Sequence, residues 1–282
     1  MEMLTENIVK MDEKQVTSER GKTYYWIKRN ETNPSADCVV FSHGLTADHT
    51  LFDQQIDFWS TTYTVITWDM PLHGESRPYE NFTLGHAAAE LKAILAAEKI
   101  EKCVLIGQSA GGYVSQVFIR EYPQMVSAFI GIGTTPLGAK NYKKSDLFWL
   151  KHFSTIARWY PYRWYCRAAA KAATHTEAAQ QNFYRALVKL GKAGMLKATK
   201  QVYTDFLRIQ TNTEFSCPVL LVIGKHDTTG LVRTYNQHWA ERTGFPLVEI
   251  AEAAHNTNFD NYEDFNQVVK DFLDRRWKKK SR

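Results

Sequence analysis

The sequence predicts an α/β protein built on a mostly parallel, doubly wound sheet with helices on both faces and a helical block inserted late in the strand order. Three observations carry this. Short runs that are apolar on both faces, such as Cys38-Val39-Val40-Phe41 and Cys103-Val104-Leu105-Ile106, alternate with amphipathic helical stretches, the rhythm of buried parallel strands covered by helices. Gly107-Gln108-Ser109-Ala110-Gly111-Gly112 stands between one such run and a helical run, so a serine occupies a strand-to-helix turn. Residues 138–212 then break the alternation, with helical periodicity and no strand signal.

In chain order, residues 1–36 predict two early strands, the clearer being Thr23-Tyr24-Tyr25-Trp26-Ile27, and a turn at Asn33-Pro34. The Cys38–Phe41 strand ends in Ser42-His43-Gly44-Leu45-Thr46. A helical stretch marked by Leu51, Phe52, Ile56 and Trp59 leads to a strand over Tyr63–Trp68, which runs out into Asp69-Met70-Pro71-Leu72-His73-Gly74-Glu75-Ser76. Thr83–Ala97 predicts a helix with Leu84, Leu91, Ile94 and Leu95 on one face, followed by the strand that carries Ser109. Another strand is expected over Ala128–Gly133. After the helical block the strands resume at Pro218–Gly224, which ends in Lys225-His226-Asp227, and at Leu247–Ile250, which runs out at His255. Helices are expected at Leu231–Thr243 and Tyr262–Trp277. The core domain is therefore read as 1–137 with 213–282, and 138–212 as an inserted cap. In a sheet of this kind ligands sit at the carboxyl ends of the strands, which puts loops 42–46, 69–76 and 107–112 on one edge.

Composition narrows the class. The chain has 282 residues, 44% hydrophobic and 23% charged, a globular composition without a disordered signature. Much of the net charge of +5 sits in Arg275, Arg276, Lys278, Lys279, Lys280 and Arg282. That run is read as a solvated tail, since no nucleic-acid motif accompanies it. No apolar run approaches the ~18 residues of a membrane span, and Met1–Lys14 lacks the order of a signal peptide, so a soluble cytoplasmic protein without stable membrane insertion is expected. Cys38, Cys103, Cys166 and Cys217 have neither CxxC nor metal-ligand spacing and are expected to be free thiols.

The chemistry centres on Ser109. Where a strand turns into a helix within one residue, side chains two positions either side of the tip would clash, and Gly107 and Gly111 occupy both places. A serine hydroxyl is a poor nucleophile at neutral pH, so it needs a base in hydrogen-bond reach and an orienting carboxylate. On such a scaffold the partners follow in the order Ser, acid, His. His152 and His175 fall in the cap, His238 falls mid-helix, and His226 has no strand-borne acid between it and Ser109. His255 as base with Asp227 as orienter is the economical assignment. Oxyanion donors are expected from the Ala110 amide at the helix N-terminus and from the Leu45 amide after His43-Gly44. His43 is read as fixing its loop. Asp69 and His73 end a strand on the same edge and stand as the competing acid or metal ligand.

Together the Gly107–Gly111 motif, the His43-Gly44 loop, the Asp69…Ser76 loop, Asp227 and His255 resemble the α/β-hydrolase superfamily over about residues 20–275. The resemblance implies an eight-stranded, mostly parallel sheet, a Ser-Asp-His triad, a two-amide oxyanion hole and no cofactor or metal. Lidded members include esterases, lactonases, carbon–carbon hydrolases, iminopeptidases and perhydrolases, whereas the similar epoxide hydrolases and haloalkane dehalogenases use an aspartate nucleophile. Peptidases of this type need acidic groups in the cap, and here its first part is basic (Lys140, Lys143, Lys144, Lys151). The expected activity is therefore hydrolysis of a small carboxylic ester through an acyl-enzyme on Ser109. A ligand sensor built on the same scaffold is the rival from another class. Gly44 and the cap aromatics Phe148, Trp149, Phe153, Trp159 and Trp164 are expected to line an apolar acyl pocket above Ser109.

Overall fold

The computed structural model describes residues 11–33 and 35–280. The first ten residues, Pro34 of the expected turn, and Arg282 of the basic run lie outside the described residues. Eight strands are present among them: β1 (Asp12–Ser18), β2 (Gly21–Lys28), β3 (Cys38–Ser42), β4 (Thr64–Trp68), β5 (Cys103–Gln108), β6 (Val126–Ile132), β7 (Val219–Gly224) and β8 (Leu247–Ile250). They form one sheet in the order β1-β2-β4-β3-β5-β6-β7-β8. β1–β2 and β2–β4 are antiparallel and every other pair is parallel.

Alternation along the strands builds two cores. Val40, Ile66, Leu105 and Leu221 point to one face, where Leu91 of α2 (Leu84–Ala97), Phe118 of α3 (Ala110–Glu121) and Trp239 of α7 (Val232–Thr243) cover them. Val39, Phe41, Ile106 and Val222 point to the other, under Trp59 of α1 (Asp53–Ser60) and Phe265 of α9 (Tyr262–Lys280). The central strands are buried throughout, which is why they read as unbroken apolar runs. α2 starts where it does because the Thr83 hydroxyl accepts the His86 amide at 2.9 Å.

Register aligns the strand ends. Ser42 pairs with both Trp68 and Gly107, Gly107 with Gly131, Ile132 with Val222, and Gly224 with Ile250. The segments beginning at His43, Asp69, Ser109, Gly133, Lys225 and Ala251 therefore leave the sheet along one edge.

Between β6 and β7 the chain forms α4 (Lys144–Ala157), α5 (Tyr162–Ala173) and α6 (Glu177–Arg208). α6 is broken at Gly191, whose φ of 75° and ψ of 161° are not helical. Arg77 donates to the carbonyls of Leu190 (2.9 Å) and Lys189 (3.3 Å) just before the break, satisfying acceptors that lose their intrahelical partners. The insertion joins both cores: Ala198, Val202 and Phe206 enter the first, and Cys166, Ala170, Phe183 and Leu187 the second.

A buried carboxylate fastens this block to the loop carrying His255. Asp260, at the end of α8 (Thr257–Asp260), accepts the amides of His175 (2.9 Å), Thr176 (2.8 Å) and Ala254 (2.9 Å). Replacing Asp260 by Ala strands the buried Ala254 amide, which costs about 1–3 kcal/mol, and removes the acceptor of the part-buried His175 and Thr176 amides. The expected result is a loss of about 1–3 kcal/mol or more in urea unfolding, with the loss of Asp260→Asn falling between those of wild type and Asp260→Ala.

Candidate active site

Ser109 links β5 to α3 with φ 50° and ψ −115°. A residue with a Cβ rarely adopts this conformation. Backbone crowding enforces it: a Cβ on Gly107 would lie 2.7 Å from Gly112, and one on Gly111 would collide with the carbonyl oxygens of Ser42 and His43. The expectation that Gly107 and Gly111 press on each other is thus half right, because Gly107 meets the start of α3 while Gly111 meets the end of β3. Ser109 is half-buried, so its hydroxyl is reachable. Its amide donates to Ile132 O at 2.8 Å, and its carbonyl accepts the Thr134 hydroxyl at 2.8 Å.

His255 lies in the segment after β8, three strands along the sheet from β5. Its Nδ1 donates to Asp227 Oδ2 at 2.8 Å, and both residues are buried, at 7% and 4% exposure. Burial alone would raise the Asp227 pKa. The nearby imidazole and the Thr229 amide on Oδ1 (2.8 Å) outweigh it and hold the carboxyl below its ordinary range. Gly133 sits so close that a Cβ there would be 3.0 Å from His255 Nδ1. The Ser109 amide is bonded to the residue before Gly133, so serine and imidazole both border the end of β6. Gln108 adds a tie across the sheet, donating from Nε2 to the His255 carbonyl at 3.1 Å.

The proposed anion donors flank Ser109. Ala110 is the first residue of α3, where a helix leaves its amides without internal acceptors. Gly44 approaches from the other side, since a Cβ on it would be 3.2 Å from Ser109 Cβ, and Leu45 follows directly. His43 is buried and held at both nitrogens. Met70 N–H donates to Nε2 (3.0 Å), which leaves the proton on Nδ1 to be donated to Gly44 O (2.7 Å). Desolvation lowers its pKa. It fixes the Gly44 loop, as the sequence reading had it.

Asp69 serves a different partner. Its Oδ1 accepts His49 N (2.8 Å) and His49 Nδ1 (2.9 Å), and its Oδ2 accepts Glu75 N (2.6 Å). Trp26 stacks on the His49 ring at 3.4 Å. Burial would raise the Asp69 pKa, but His49 and the Glu75 amide bring it down to about 2. His73 is buried, with Nδ1 against Pro71 O (3.1 Å), and desolvation lowers its pKa to about 3. Neither residue meets Asp227 or His255 in a hydrogen bond among the described residues. Elsewhere His175, His226 and Glu252 gather at the surface, but the two imidazoles stack parallel (4.6 Å, 9°), with His175 bonded to Glu252 at 3.0 Å. The stacked rings and the hydrogen bond make the group a clasp between the insertion and the Asp227 loop.

The cap aromatics are a correction. Phe148, Trp149, Phe153, Trp159 and Trp164 are exposed, Trp159 by 82%, and they do not wall a closed pocket. The reason is helical phase. Leu147, Leu150 and Ala157 form the inward ridge of α4, which turns Phe148 and Trp149 outward.

A family model described as the alpha/beta hydrolase fold matches residues 37–213. The chain is 24% identical to 3-oxoadipate enol-lactonase 1 of Acinetobacter baylyi, covering 92% of this chain and 96% of that protein. It is similar in structure to a bromoperoxidase from Bacillus anthracis (TM-score 0.76, 17% identity, 94% of this chain, 100% of that one). It is also similar to an esterase from Exiguobacterium antarcticum (TM-score 0.73, 18% identity, 90% of this chain, 96% of that one). At such identities the structural likeness is one of fold.

The Asp69 pairing predicts an acid signature. Its folded pKa of about 2 lies below the ordinary 3.8, so its contribution is fully present above about pH 4 and disappears as pH falls through about 2. Wild type is expected to lose about 2 kcal/mol more than Asp69→Asn across that window in urea titrations. Parallel curves would remove the pairing.

Proposed function

The chain belongs to the α/β-hydrolase fold family, and from that premise we propose that it is a serine hydrolase cleaving the acyl–oxygen bond of a carboxylic ester. The observation that carries this reading is the 2.8 Å bond from His255 Nδ1 to a buried Asp227 carboxylate, beside a serine held at positive φ on a strand-to-helix turn. With Nδ1–H committed to Asp227, Nε2 is the basic nitrogen and takes the proton as Ser109 Oγ attacks the carbonyl carbon. The carbonyl oxygen becomes an oxyanion facing the Ala110 and Leu45 amides. Collapse breaks the acyl–oxygen bond, and the leaving alkoxide receives the proton from His255. Water then attacks the acyl-serine by the same steps, returning the acid and free Ser109. Asp227 holds the tautomer and steadies the imidazolium.

A lactone is a second reading favoured by a specific observation: a relative matched over nearly its whole length is named an enol-lactonase. The bond broken is the same, but the leaving oxygen stays tethered to the acyl-enzyme. For the acyl part, support comes from the inward face of the cap (138–212) rather than from its exposed aromatics. Tyr113, one turn past Ser109, packs on Phe206 of α6 with ring centroids 4.7 Å apart, and Tyr142 packs on Phe206 at 5.4 Å. The reading sets the acyl chain against these rings, at the seam of α3 and the cap.

A fluorophosphonate is expected to label wild type once, at Ser109, and Ser109→Ala should abolish labelling with an unchanged thermal midpoint. Asp227→Asn should lose on the order of 10⁴ in kcat, as tautomer control is lost, whereas Asp69→Asn should lose stability and keep its chemical step. An adduct on another serine, or the reverse ranking of the aspartates, overturns the assignment. Across p-nitrophenyl acetate to octanoate and a matched set of lactones, kcat/KM should climb with acyl length until the pocket is full, each buried methylene adding roughly 0.8 kcal/mol. Tyr113→Ala should flatten the profile, and Trp159→Ala should leave it intact.

A further inference from the structure

The outward face of α4 and the corner leading into α5 concentrate apolar surface that the fold does not use. Trp149 is 62% exposed and Phe148 and Trp164 are 56% exposed, with Ile156 and Tyr160 exposed beside them. These side chains are ordered against one another: Phe148 meets Trp149 edge-on at 5.9 Å and His152 at 4.4 Å, and Tyr160 stacks on Trp164 at 5.3 Å. Along α4 and the turn that follows it, Phe148, His152, Ile156 and Trp159 recur every three or four residues and so form one stripe. Lys144, Lys151 and Arg158 recur every seven and form a ridge alongside it. On α5, Arg163, Arg167 and Lys171 make a second basic ridge next to Trp164, again at helical spacing. All six basic residues are exposed. Asp146 is the sole acid of both helices, and its carboxylate is taken by the Tyr235 hydroxyl.

We propose that this face docks the protein on the surface of an anionic lipid bilayer, with the Trp and Phe side chains at the headgroup–acyl boundary and the two basic ridges on lipid phosphates. An apolar stripe bordered by Lys and Arg, on a helix too short to span, is the pattern of an element lying in a membrane interface, and tryptophan and tyrosine favour that depth because one edge is apolar and the other wet. Charge selects this occupant over the others. A second copy docked through this same face would bring basic ridge against basic ridge. A nucleic acid would leave Ile156, which has no ring to stack on bases, without a role. No helix among the described residues is long and apolar enough to cross a membrane, so the attachment is peripheral.

Docking does not depend on which bond Ser109 cleaves, and the test keeps the two apart. Wild type and Ser109→Ala are sedimented with large unilamellar vesicles of phosphatidylcholine, with and without phosphatidylglycerol, at low and high salt, while tryptophan emission is recorded. Both proteins should pellet with the anionic vesicles, release at high salt, and show a blue-shifted emission. Trp149→Ala/Trp159→Ala and Lys144→Glu/Lys151→Glu should each weaken binding by roughly tenfold or more, and thermal midpoints should not move, since all four side chains are exposed. Wild type remaining in the supernatant overturns the proposal, as does pelleting that survives both double variants. Self-association, or binding of a single-stranded oligonucleotide, that is lost in these variants without any vesicle binding assigns the face to another occupant and equally overturns it.

Discussion

Ser109 can hold φ 50° only because no side chain stands between β3, β5 and the start of α3. Such a backbone costs of order 1–3 kcal/mol and persists where the surroundings over-determine it. Here they do. Gly107 touches Gly112, Gly111 touches Ser42 and His43, the Ser109 amide is bonded to Ile132, and its carbonyl is bonded to Thr134 and to the Gly112 amide. Three strands and one helix thus close on a single residue. The same closeness brings Gly44 and the Leu45 amide beside the serine, and Gly133 beside His255, so the remaining site geometry follows from the crowding at this turn.

Two buried carboxylates compete on paper for the orienting role, and sheet position does not separate them. In the order β4-β3-β5-β6-β7, the strands that precede Asp69 and Asp227 are both second neighbours of the serine strand. Each acid also holds a histidine, His49 in one case and His255 in the other. The difference lies in where the histidine comes from. His255 hangs from the loop after β8, which pairs with β7, and is brought against Gly133 and Gln108. His49 comes from the loop after β3, is stacked under Trp26, and serves to order the Asp69–Ser76 turn through Glu75.

The strands and most helices were legible because their signal is local: a run apolar on both faces, or apolar residues recurring on one face of a helix, as Leu84, Leu91, Ile94 and Leu95 do. Ser109, Asp227 and His255 were legible as residue types at strand ends. What was not legible depends on distant pairs. Gln108 meets the His255 carbonyl, Asp260 meets the His175 and Thr176 amides, and Arg77 meets Leu190 at the break in α6. Nothing within a window of sequence marks those residues as partners. The cap aromatics failed for a different reason. Their density was read without their phase, although the inward positions of α4, Leu147, Leu150 and Ala157, were available to fix it.

That phase carries a further consequence for the inserted block. Its small and aliphatic residues Ala170, Ala186, Leu187, Leu190, Met195, Ala198 and Val202 are buried together with Phe183 and Phe206, while its three tryptophans, Trp149, Trp159 and Trp164, are exposed. Large aromatics bury the most area when they are used for packing, so a cap stabilised for its own sake would turn them inward and leave alanines outside. The opposite arrangement gains nothing in the isolated chain, because exposed apolar surface contributes no burial to folding and raises the risk of association. Holding the cap is left instead to Phe206, Cys166 and Phe183, to the Asp260 amide cluster, and to Arg77 at Gly191. The outer aromatics are thereby free of any structural duty, and their surface is buried only when a second phase or molecule is brought against it.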